Sequence, residues 1–269
     1  MKRKSLKLLC TALLVTMVGG AVVGCGNSSS DGNTEGGSVT ISVSGSTSVG
    51  PLMEKLAEKF EADNSNVSIE INQVGSSAGI KDTINGVSEL GMSSRELKDE
   101  EAREVNATTI AYDGIAIITN NNNPIKNITI DQIKGIYTGE ITNWSEIEGG
   151  KDSPIVVISR EEGSGTRDAF QEIIGYKSEE LVADSMIANA TGAVKETVAG
   201  NENAIGFVSF EYLDDKVNIV NVENIEPKAE FVQSGEYKLS RPFIVVNKVD
   251  GLSEEGQTIV KDNKAIPVK

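Results

Sequence analysis

The segment Ile158-Ser159-Arg160-Glu161-Glu162-Gly163-Ser164-Gly165-Thr166-Arg167-Asp168-Ala169-Phe170 joins a predicted strand to a predicted helix through a turn of glycine and hydroxyl residues. The apolar run at 155–158 indicates the strand, and the spacing of apolar residues after the turn indicates the helix. Such a turn leaves backbone N–H groups free at the positive end of the helix dipole. Arg160 adds a planar, permanently charged group that matches an oxyanion. The segment predicts an anion-binding turn, although a simple helix cap at Ser164 or Thr166 is the alternative.

Two earlier stretches repeat this order of strand, turn and helix. Residues 44–51 (SGSTSVGP) follow an alternating apolar strand, and residues 75–80 (GSSAGI) follow the next one. A further polar cluster lies at 92–95 (MSSR). Because the C-terminal ends of parallel strands lie along one edge of an α/β sheet, the three helix N-termini should converge on a shared crevice. Each turn alone is typical of an ordinary cap, but together they predict neutral donors around a small, dehydrated oxyanion.

The N-terminus has the pattern of an export signal. Basic residues at 2–7 precede an apolar run that ends just before Cys25. A small residue before this cysteine resembles a bacterial lipobox, which predicts a signal peptide over residues 1–24 and a lipid on the Cys25 sulfur, with palmitate as an acyl chain. A spanning helix is the alternative, but the apolar run is short and contains two glycines. Residues 25–37 are small or polar and predict a flexible, lipidated tether.

Composition argues against several classes of protein. A formal net charge of −15 argues against nucleic acid as a partner, and it requires any anion site to rest on local dipoles and hydrogen bonds. The sequence has no histidine, which excludes Ser-His-Asp catalysis and histidine-ligated metals. Carboxylate-only catalysis remains open, but no acidic pair stands out, and Trp144 is the single tryptophan for a sugar site. The sequence therefore predicts a binding protein without metal or cofactor, and not an enzyme.

The motifs, in their order along the chain, resemble those of the substrate-binding lipoproteins of bacterial phosphate ABC transporters. The most specific are Thr-Gly-x-Ile-Thr-Asn-Trp at 138–144 and Arg-x-x-Gly-Ser-Gly-Thr at 160–166. The resemblance implies an α/β class II periplasmic-binding-protein fold, in which two lobes joined by two crossover segments close on phosphate. Lobe one would comprise residues 38–120 and 222–269, and lobe two residues 121–221.

The resemblance also implies partners and contacts. The protein would be a monomer, held on the outer face of the cell membrane by the lipid on Cys25, that delivers inorganic phosphate to the permease subunits of an ABC importer. Glu162 matches the acidic residue that pairs with the arginine of the anion-binding turn. From the turns and the resemblance together, the predicted ligand-binding residues are Ser46, Thr47, Ser48, Ser76, Ser77, Ser94, Arg95, Asp113, Arg160, Ser164, Gly165 and Thr166.

One position departs from the family pattern. Well-studied members have an aspartate that accepts the proton of hydrogen phosphate, whereas this chain has Ser94. Either hydroxyl and amide donors tolerate phosphate and sulfate alike, or another carboxylate accepts the proton. Asp113 is the candidate acceptor, although a turn-forming Asp-Gly pair would explain it equally well. A receptor for another oxyanion such as sulfate is therefore the alternative function, and a secreted phosphoesterase that uses the same turn for its substrate is the other.

Overall fold

The computed structural model describes residues 39–249. The predicted signal peptide, the tether with Cys25, and residues 250–269 of predicted lobe one lie outside the described residues. Within the described range, no helix combines the length and the apolar character that crossing a bilayer requires.

The first part of the chain alternates strands and helices, as the sequence predicts. Its elements are β1 (Val39–Gly45), α1 (Gly50–Asp63), β2 (Val67–Gln73), α2 (Ser76–Ile84), β3 (Leu90–Ser93) and β4 (Val105–Asn120). The middle and last parts continue the alternation. Their elements are β5 (Asn127–Ile128), α3 (Ile130–Thr138), β6 (Val156–Arg160), α4 (Gly165–Ile174), β7 (Met186–Ala188), α5 (Thr191–Ala199), β8 (Ala204–Ser209), β9 (Val217–Val222), α6 (Ala229–Gln233) and β10 (Ser240–Lys248).

The strands form one path in the order β2-β1-β3-β10-β4-β8-β6-β7, and β9 pairs with β4 and β5. Strand β1 is parallel to β2 and β3, and β6 is parallel to β7 and β8. The antiparallel strands β10 and β4 join these two parallel groups. The predicted α/β fold class is therefore confirmed.

Strand β4 changes its pairing partner along its length. Its residues 105–114 pair with β10, whereas residues 115–120 pair with β8 and β9. The return crossing lies beside the change of partner, because the Ile115 N–H donates to the Leu239 carbonyl at 2.7 Å. These two crossings correspond to the predicted crossover segments, and the lobe boundaries at residues 120 and 222 stay a prediction.

Separate hydrophobic cores lie on the two parallel groups. Ile41, Met53 and Phe243 belong to the core of the first group. The core of the second group is aromatic, with Phe170 stacked on Phe207 at a centroid distance of 4.1 Å. Each parallel group therefore has its own packed support for the strand ends and helix N-termini that it carries.

Candidate functional site

Four helices begin near one another in the fold. The turns before α1, α2, α4 and α5, together with the end of β3, bring together buried hydroxyl groups that we call the hydroxyl cluster. Its members are Ser46, Thr47, Ser48, Ser76, Ser94, Thr166 and Thr191. None of these residues is more than 4% exposed. The convergence expected for α1, α2 and α4 is observed, and α5 adds a junction that was not predicted from the sequence.

Hydrogen bonds connect members of the cluster that are distant in sequence. The Ser48 Oγ lies 2.7 Å from Thr166 Oγ1 and 2.8 Å from Thr191 Oγ1. Thr47 Oγ1 also lies 3.0 Å from Thr191 Oγ1. A hydroxyl group can rotate to donate or to accept, so the same groups can turn toward a ligand.

Glycine permits the close approach of the first two turns. Gly45 has φ 145°, and a Cβ at this position would lie 2.3 Å from the Met92 carbonyl oxygen. A Cβ on Gly79 would lie 2.3 Å from the Gly45 Cα. The Ser76 Oγ accepts a hydrogen bond from the Ser94 N–H at 3.1 Å. Backbone contact between the ends of β1, α2 and β3 therefore fixes the hydroxyls that they carry.

Arg160 lies at the end of β6 and is the predicted charged residue of the site. Its side chain is buried, and Nη1 donates to Thr191 Oγ1 at 2.9 Å. Nε and Nη2 donate to the two carboxylate oxygens of Glu161 at 2.7 and 2.8 Å. This bidentate pair fixes the guanidinium plane and leaves Nη1 to the hydroxyl cluster.

The prediction that Glu162 pairs with this arginine is wrong. The Glu161 N–H donates to the Ala188 carbonyl at 3.2 Å, which keeps Glu161 beside β7 and its carboxylate beside the guanidinium of Arg160. Glu162 lies one residue later, in the turn, where its side chain is exposed. It forms no ion pair with any residue of the described range.

Ser164, Gly165 and Thr166, the other predicted ligand contacts, lie at the N-terminus of α4 and have different roles. Ser164 Oγ accepts from the Arg167 N–H at 3.3 Å and so acts as an ordinary helix cap. Thr166 directs its hydroxyl into the cluster. A Cβ on Gly165 would lie 2.2 Å from Ser76 Oγ, so glycine is needed for α4 to approach α2 this closely. The side chain of Thr166 and the backbone at Gly165 are therefore the parts of this turn nearest to the other hydroxyls.

Arg95 and Ser77 were predicted to bind ligand, but the structure uses them in a neighbouring ion-pair network. Arg95 donates to both carboxylate oxygens of Glu101 at 2.8 Å and to Ser77 Oγ at 3.0 Å. Its Nε also lies 3.0 Å from Asp168 Oδ2 on α4. Burial alone would raise the pKa of Glu101, but the hydrogen bonds and charge of Arg95 outweigh burial and lower it. The guanidinium of Arg95 is bound by the carboxylates of Glu101 and Asp168 and by the Ser77 hydroxyl. In the described chain, neither Arg95 nor Ser77 therefore bonds to the hydroxyl cluster.

Besides Arg160, the buried Arg241 on β10 also donates to the cluster. Its Nη1 donates to the Ser94 carbonyl at 2.7 Å and to Thr166 Oγ1 at 3.1 Å. Its Nη2 donates to Asp113 Oδ2 at 2.9 Å. Burial raises the pKa of Asp113 to about 6, and the charge of Arg241 and the nearby Ser209 hydroxyl limit the rise. Asp113 is thus connected to the cluster through Arg241.

The sequence analysis missed Thr191, Arg241 and Glu161. A signal for Thr191 was present, because a Thr-Gly pair follows the apolar strand β7 and precedes a helical apolar spacing. Arg241 stands at the head of the apolar run 242–246, where a charged residue is unusual. The sequence around Glu161 and Glu162 does not indicate which of the two glutamates pairs with Arg160.

The assembled site is rich in hydrogen-bond donors. It combines Arg160, Arg241, the hydroxyl cluster and the N-termini of helices. Nowhere in residues 39–249 do three or more histidine, cysteine or carboxylate side chains form a group that could hold a metal ion. Charged and neutral hydrogen-bond donors of this kind can bind a small oxyanion without a metal ion.

Known sequences match this chain over most of its length. The profile of the PBP superfamily domain matches residues 30–257. The phosphate-binding protein PstS of Bacillus subtilis (strain 168) is 32% identical over 248 residues, which cover 89% of this chain and 82% of that protein. The phosphate-binding protein PstS of Borreliella burgdorferi is 27% identical over 252 residues, which cover 85% of this chain and 90% of that protein.

Solved structures match it as well. A phosphate ABC transporter substrate-binding protein from Clostridium perfringens, crystallised with bound phosphate, is 53% identical with a TM-score of 0.82, and the match covers 86% of this chain and all of that chain. An ABC-type phosphate transport receptor from Vibrio cholerae is 35% identical with a TM-score of 0.69, and the match covers 84% of this chain and 93% of that chain.

Proposed function

The chain belongs to the PstS family of phosphate-binding proteins within the PBP superfamily, and we propose that it is the phosphate-binding component of an ABC-type phosphate importer. The observation that carries this proposal is the buried Arg160, held by Glu161 so that Nη1 faces hydroxyls from several helix N-termini. A permanently charged donor among neutral donors matches a tetrahedral oxyanion. We assign the ligand contacts to Arg160, Gly165 and the hydroxyl cluster, and the membrane permease is the partner that receives phosphate.

Hydrogen bonds between the two predicted lobes support capture by closure. The Tyr212 hydroxyl donates to the Thr47 carbonyl at 2.7 Å, and the Ser77 N–H donates to the Gly163 carbonyl at 3.1 Å. The ion pair between Arg95 and Asp168 also joins the lobes as they were predicted. An anion bound between groups from both lobes would favour the closed arrangement, so binding and closure form one equilibrium.

A binding protein fits these residues better than the secreted phosphoesterase considered from the sequence. The Ser48 hydroxyl bonds to Thr166 and Thr191, and Arg160 and Arg241, the two arginines that donate to the cluster, are each paired with a carboxylate. Activation of a serine nucleophile needs an adjacent base, and the sequence has no histidine to supply one. We therefore propose reversible capture without chemistry on the phosphate.

We also propose that the protein acts outside the cytoplasm, as a monomer held at the membrane by lipid on Cys25. The support is the sequence pattern that ends at Cys25, which lies outside the described residues. We expect Cys25→Ser to lose incorporation of labelled palmitate in cells and to release the protein from the membrane fraction. Cys10→Ser is the matched control, because Cys10 would leave with the signal peptide and its loss should not change labelling. Equal labelling of the Cys25 variant would contradict the anchor.

Calorimetric titration tests the function directly. We expect the purified full chain, unfolded and refolded to remove any anion carried through purification, to bind inorganic phosphate with one site per chain. The physical reason is that Arg160 and the hydroxyls offer charge-assisted hydrogen bonds to several oxygens of one anion. Absence of heat and of any thermal stabilisation by phosphate would reject phosphate as the ligand.

A further inference from the structure

Arg95 carries an ion pair between the two parallel groups of strands. It follows β3 of the first group, and its side chain is buried. On its own side, Nη1 and Nη2 donate to the two carboxylate oxygens of Glu101, each at 2.8 Å. Its Nε lies 3.0 Å from Oδ2 of Asp168, which belongs to α4 of the second group. One guanidinium therefore binds a carboxylate from each group.

The two carboxylates are held to different degrees. The Glu101 side chain is 13% exposed and accepts two hydrogen bonds from the guanidinium. The Asp168 side chain is 31% exposed, and the Arg95 Nε beside it has no aligned hydrogen bond in the described chain. A bidentate, mostly buried pair is stronger than a more exposed ion pair without an aligned hydrogen bond. We therefore expect Arg95 to stay with Glu101 whenever α4 moves away.

Asp168 also has support within its own group. It lies in the first turn of α4, where the positive end of the helix dipole stabilises a carboxylate. When the ion pair separates, Arg95 keeps Glu101 and Asp168 keeps the helix N-terminus. Separation therefore leaves no buried charge without a partner, which would be the main cost of breaking such a pair. The contact can form and break each time that the two groups close and separate.

The ion pair lies next to the part of α4 that belongs to the anion site. Asp168 comes two residues after Thr166, whose hydroxyl lies 2.7 Å from the Ser48 hydroxyl of the first group. Just before the helix, the Gly163 carbonyl accepts from the Ser77 N–H at 3.1 Å. The first turn of α4 is thus held against the first group by the ion pair and by this backbone bond, on either side of the residues assigned to the ligand.

We propose that Arg95 and Asp168 are positioning residues, which hold the first turn of α4 against the first group around the bound anion and so slow its release. Neither side chain touches the anion. The inference rests on the proposed function and deepens it by naming residues that set how long phosphate stays bound. The sign of the effect is diagnostic. A carboxylate near an anion repels it, so removal of the Asp168 charge alone would slow release, whereas loss of the positioning contact speeds release.

Release of radiolabelled phosphate tests the proposal. The purified full chain is loaded with labelled phosphate, mixed with excess unlabelled phosphate and sampled on filters, and equilibrium dialysis gives the dissociation constant. We expect Asp168→Asn to release phosphate about 3- to 10-fold faster than the wild type, because it loses a partly buried ion pair. The association rate should change by no more than about twofold, since the loss of a contact acts mainly on dissociation.

Asp214→Asn is the matched control. It removes the same charge by the same chemical change, but Asp214 pairs with Lys195 within the second group, so its release rate should equal that of the wild type.

Ionic strength supplies a second readout. Between about 0.01 M and about 1 M salt the Debye length falls from about 30 Å to about 3 Å, which weakens a partly exposed ion pair. The ratio of the release rates of Asp168→Asn and the wild type should therefore approach one as salt is added. A ratio that salt does not change would indicate a lost packing contact and would contradict the proposal.

Arg95→Lys tests the pair from its other side. Lysine keeps a cation for Glu101 but lacks the planar group that binds two carboxylates at once. We expect release to be faster by a factor similar to that of Asp168→Asn. The double variant should release phosphate no faster than the faster single variant, because both substitutions remove the same contact.

Several results would overturn the inference. Release from Asp168→Asn at the wild-type rate or more slowly would remove the pair from control of phosphate release. An equal rise of the association and release rates would leave the dissociation constant unchanged and would show that the pair does not retain the anion. Additive effects in the double variant would mean that the two residues act separately. Failure of both the wild type and Asp214→Asn to retain phosphate would reject the proposed function itself, whereas normal wild-type binding with an unchanged Asp168→Asn rejects this inference alone.

Discussion

Arg160→Ala is expected to weaken phosphate binding by about 2–5 kcal/mol, or about 30- to 5000-fold in the dissociation constant. The substitution removes the Nη1 donor beside Thr191 and also leaves Glu161 without its cation. An unpaired carboxylate next to the anion adds repulsion to the lost hydrogen bond. Calorimetry with phosphate measures the effect, and a thermal melt of the variant shows whether the fold persists.

Arg103→Ala is the matched control for this substitution, because Arg103 is an exposed arginine on the same chain. It changes the net charge by the same amount but leaves the hydroxyl cluster intact, so its dissociation constant should equal that of the wild type. Arg160→Lys is a further variant, since lysine keeps the charge but lacks the planar group that pairs with both oxygens of Glu161. Equal phosphate affinity in Arg160→Ala and Arg103→Ala would remove Arg160 from the site.

The sequence predicts those parts of the fold that depend on residues close together in the chain, such as the turns between a strand and the next helix. The sequence of residues 44–51 contains both the end of a strand and the start of a helix, and α1 begins at Gly50 as expected. The same holds for the turns before α2 and α4. Because the ends of parallel strands share one edge, local turns were enough to place most of the hydroxyl cluster.

Thr191 was missed because its strand gives a weak pattern. Strand β7 has three residues, Met186–Ala188, and all of them are apolar, so the sequence shows no alternation that would mark a half-buried strand. Its parallel pairing with β6 places Ala188 opposite Arg160 and so brings Thr191 to the arginine. This contact depends on a tertiary pairing that no sequence window contains.

Arg241 was missed for a related reason. The antiparallel register of β10 with β4 sets Arg241 opposite Asp113, and only this register gives a buried arginine in an apolar strand its partner. From the sequence, Asp113 is a candidate proton acceptor by residue type alone, and that role stays a prediction, whereas its ion pair with Arg241 depends on the register. Long-range pairing, and not a local pattern, therefore determines which cation lies beside this carboxylate.

Phe170→Ala is expected to lower the free energy of unfolding by about 3–5 kcal/mol. Phe170 is fully buried on α4, where it stacks on Phe207 at 4.1 Å and meets the edge of Tyr137 at 4.9 Å. Truncation removes both aromatic contacts and leaves a cavity under the helix whose first turn carries Thr166. Because folded proteins are stabilised by about 5–15 kcal/mol, this loss takes a large part of the total.

Denaturant unfolding followed by fluorescence measures this effect, because Trp144 is the single tryptophan and lies buried in the same core as Phe170. Tyr112→Ala is the matched control, since Tyr112 is 63% exposed and its truncation should change stability by no more than about 0.5 kcal/mol. Saturating phosphate should raise the midpoint of both variants, because an anion that binds only the folded state stabilises it by mass action. A Phe170→Ala midpoint equal to that of Tyr112→Ala would mean that the aromatic core does not support α4, and the placement of Thr166 would then need another cause.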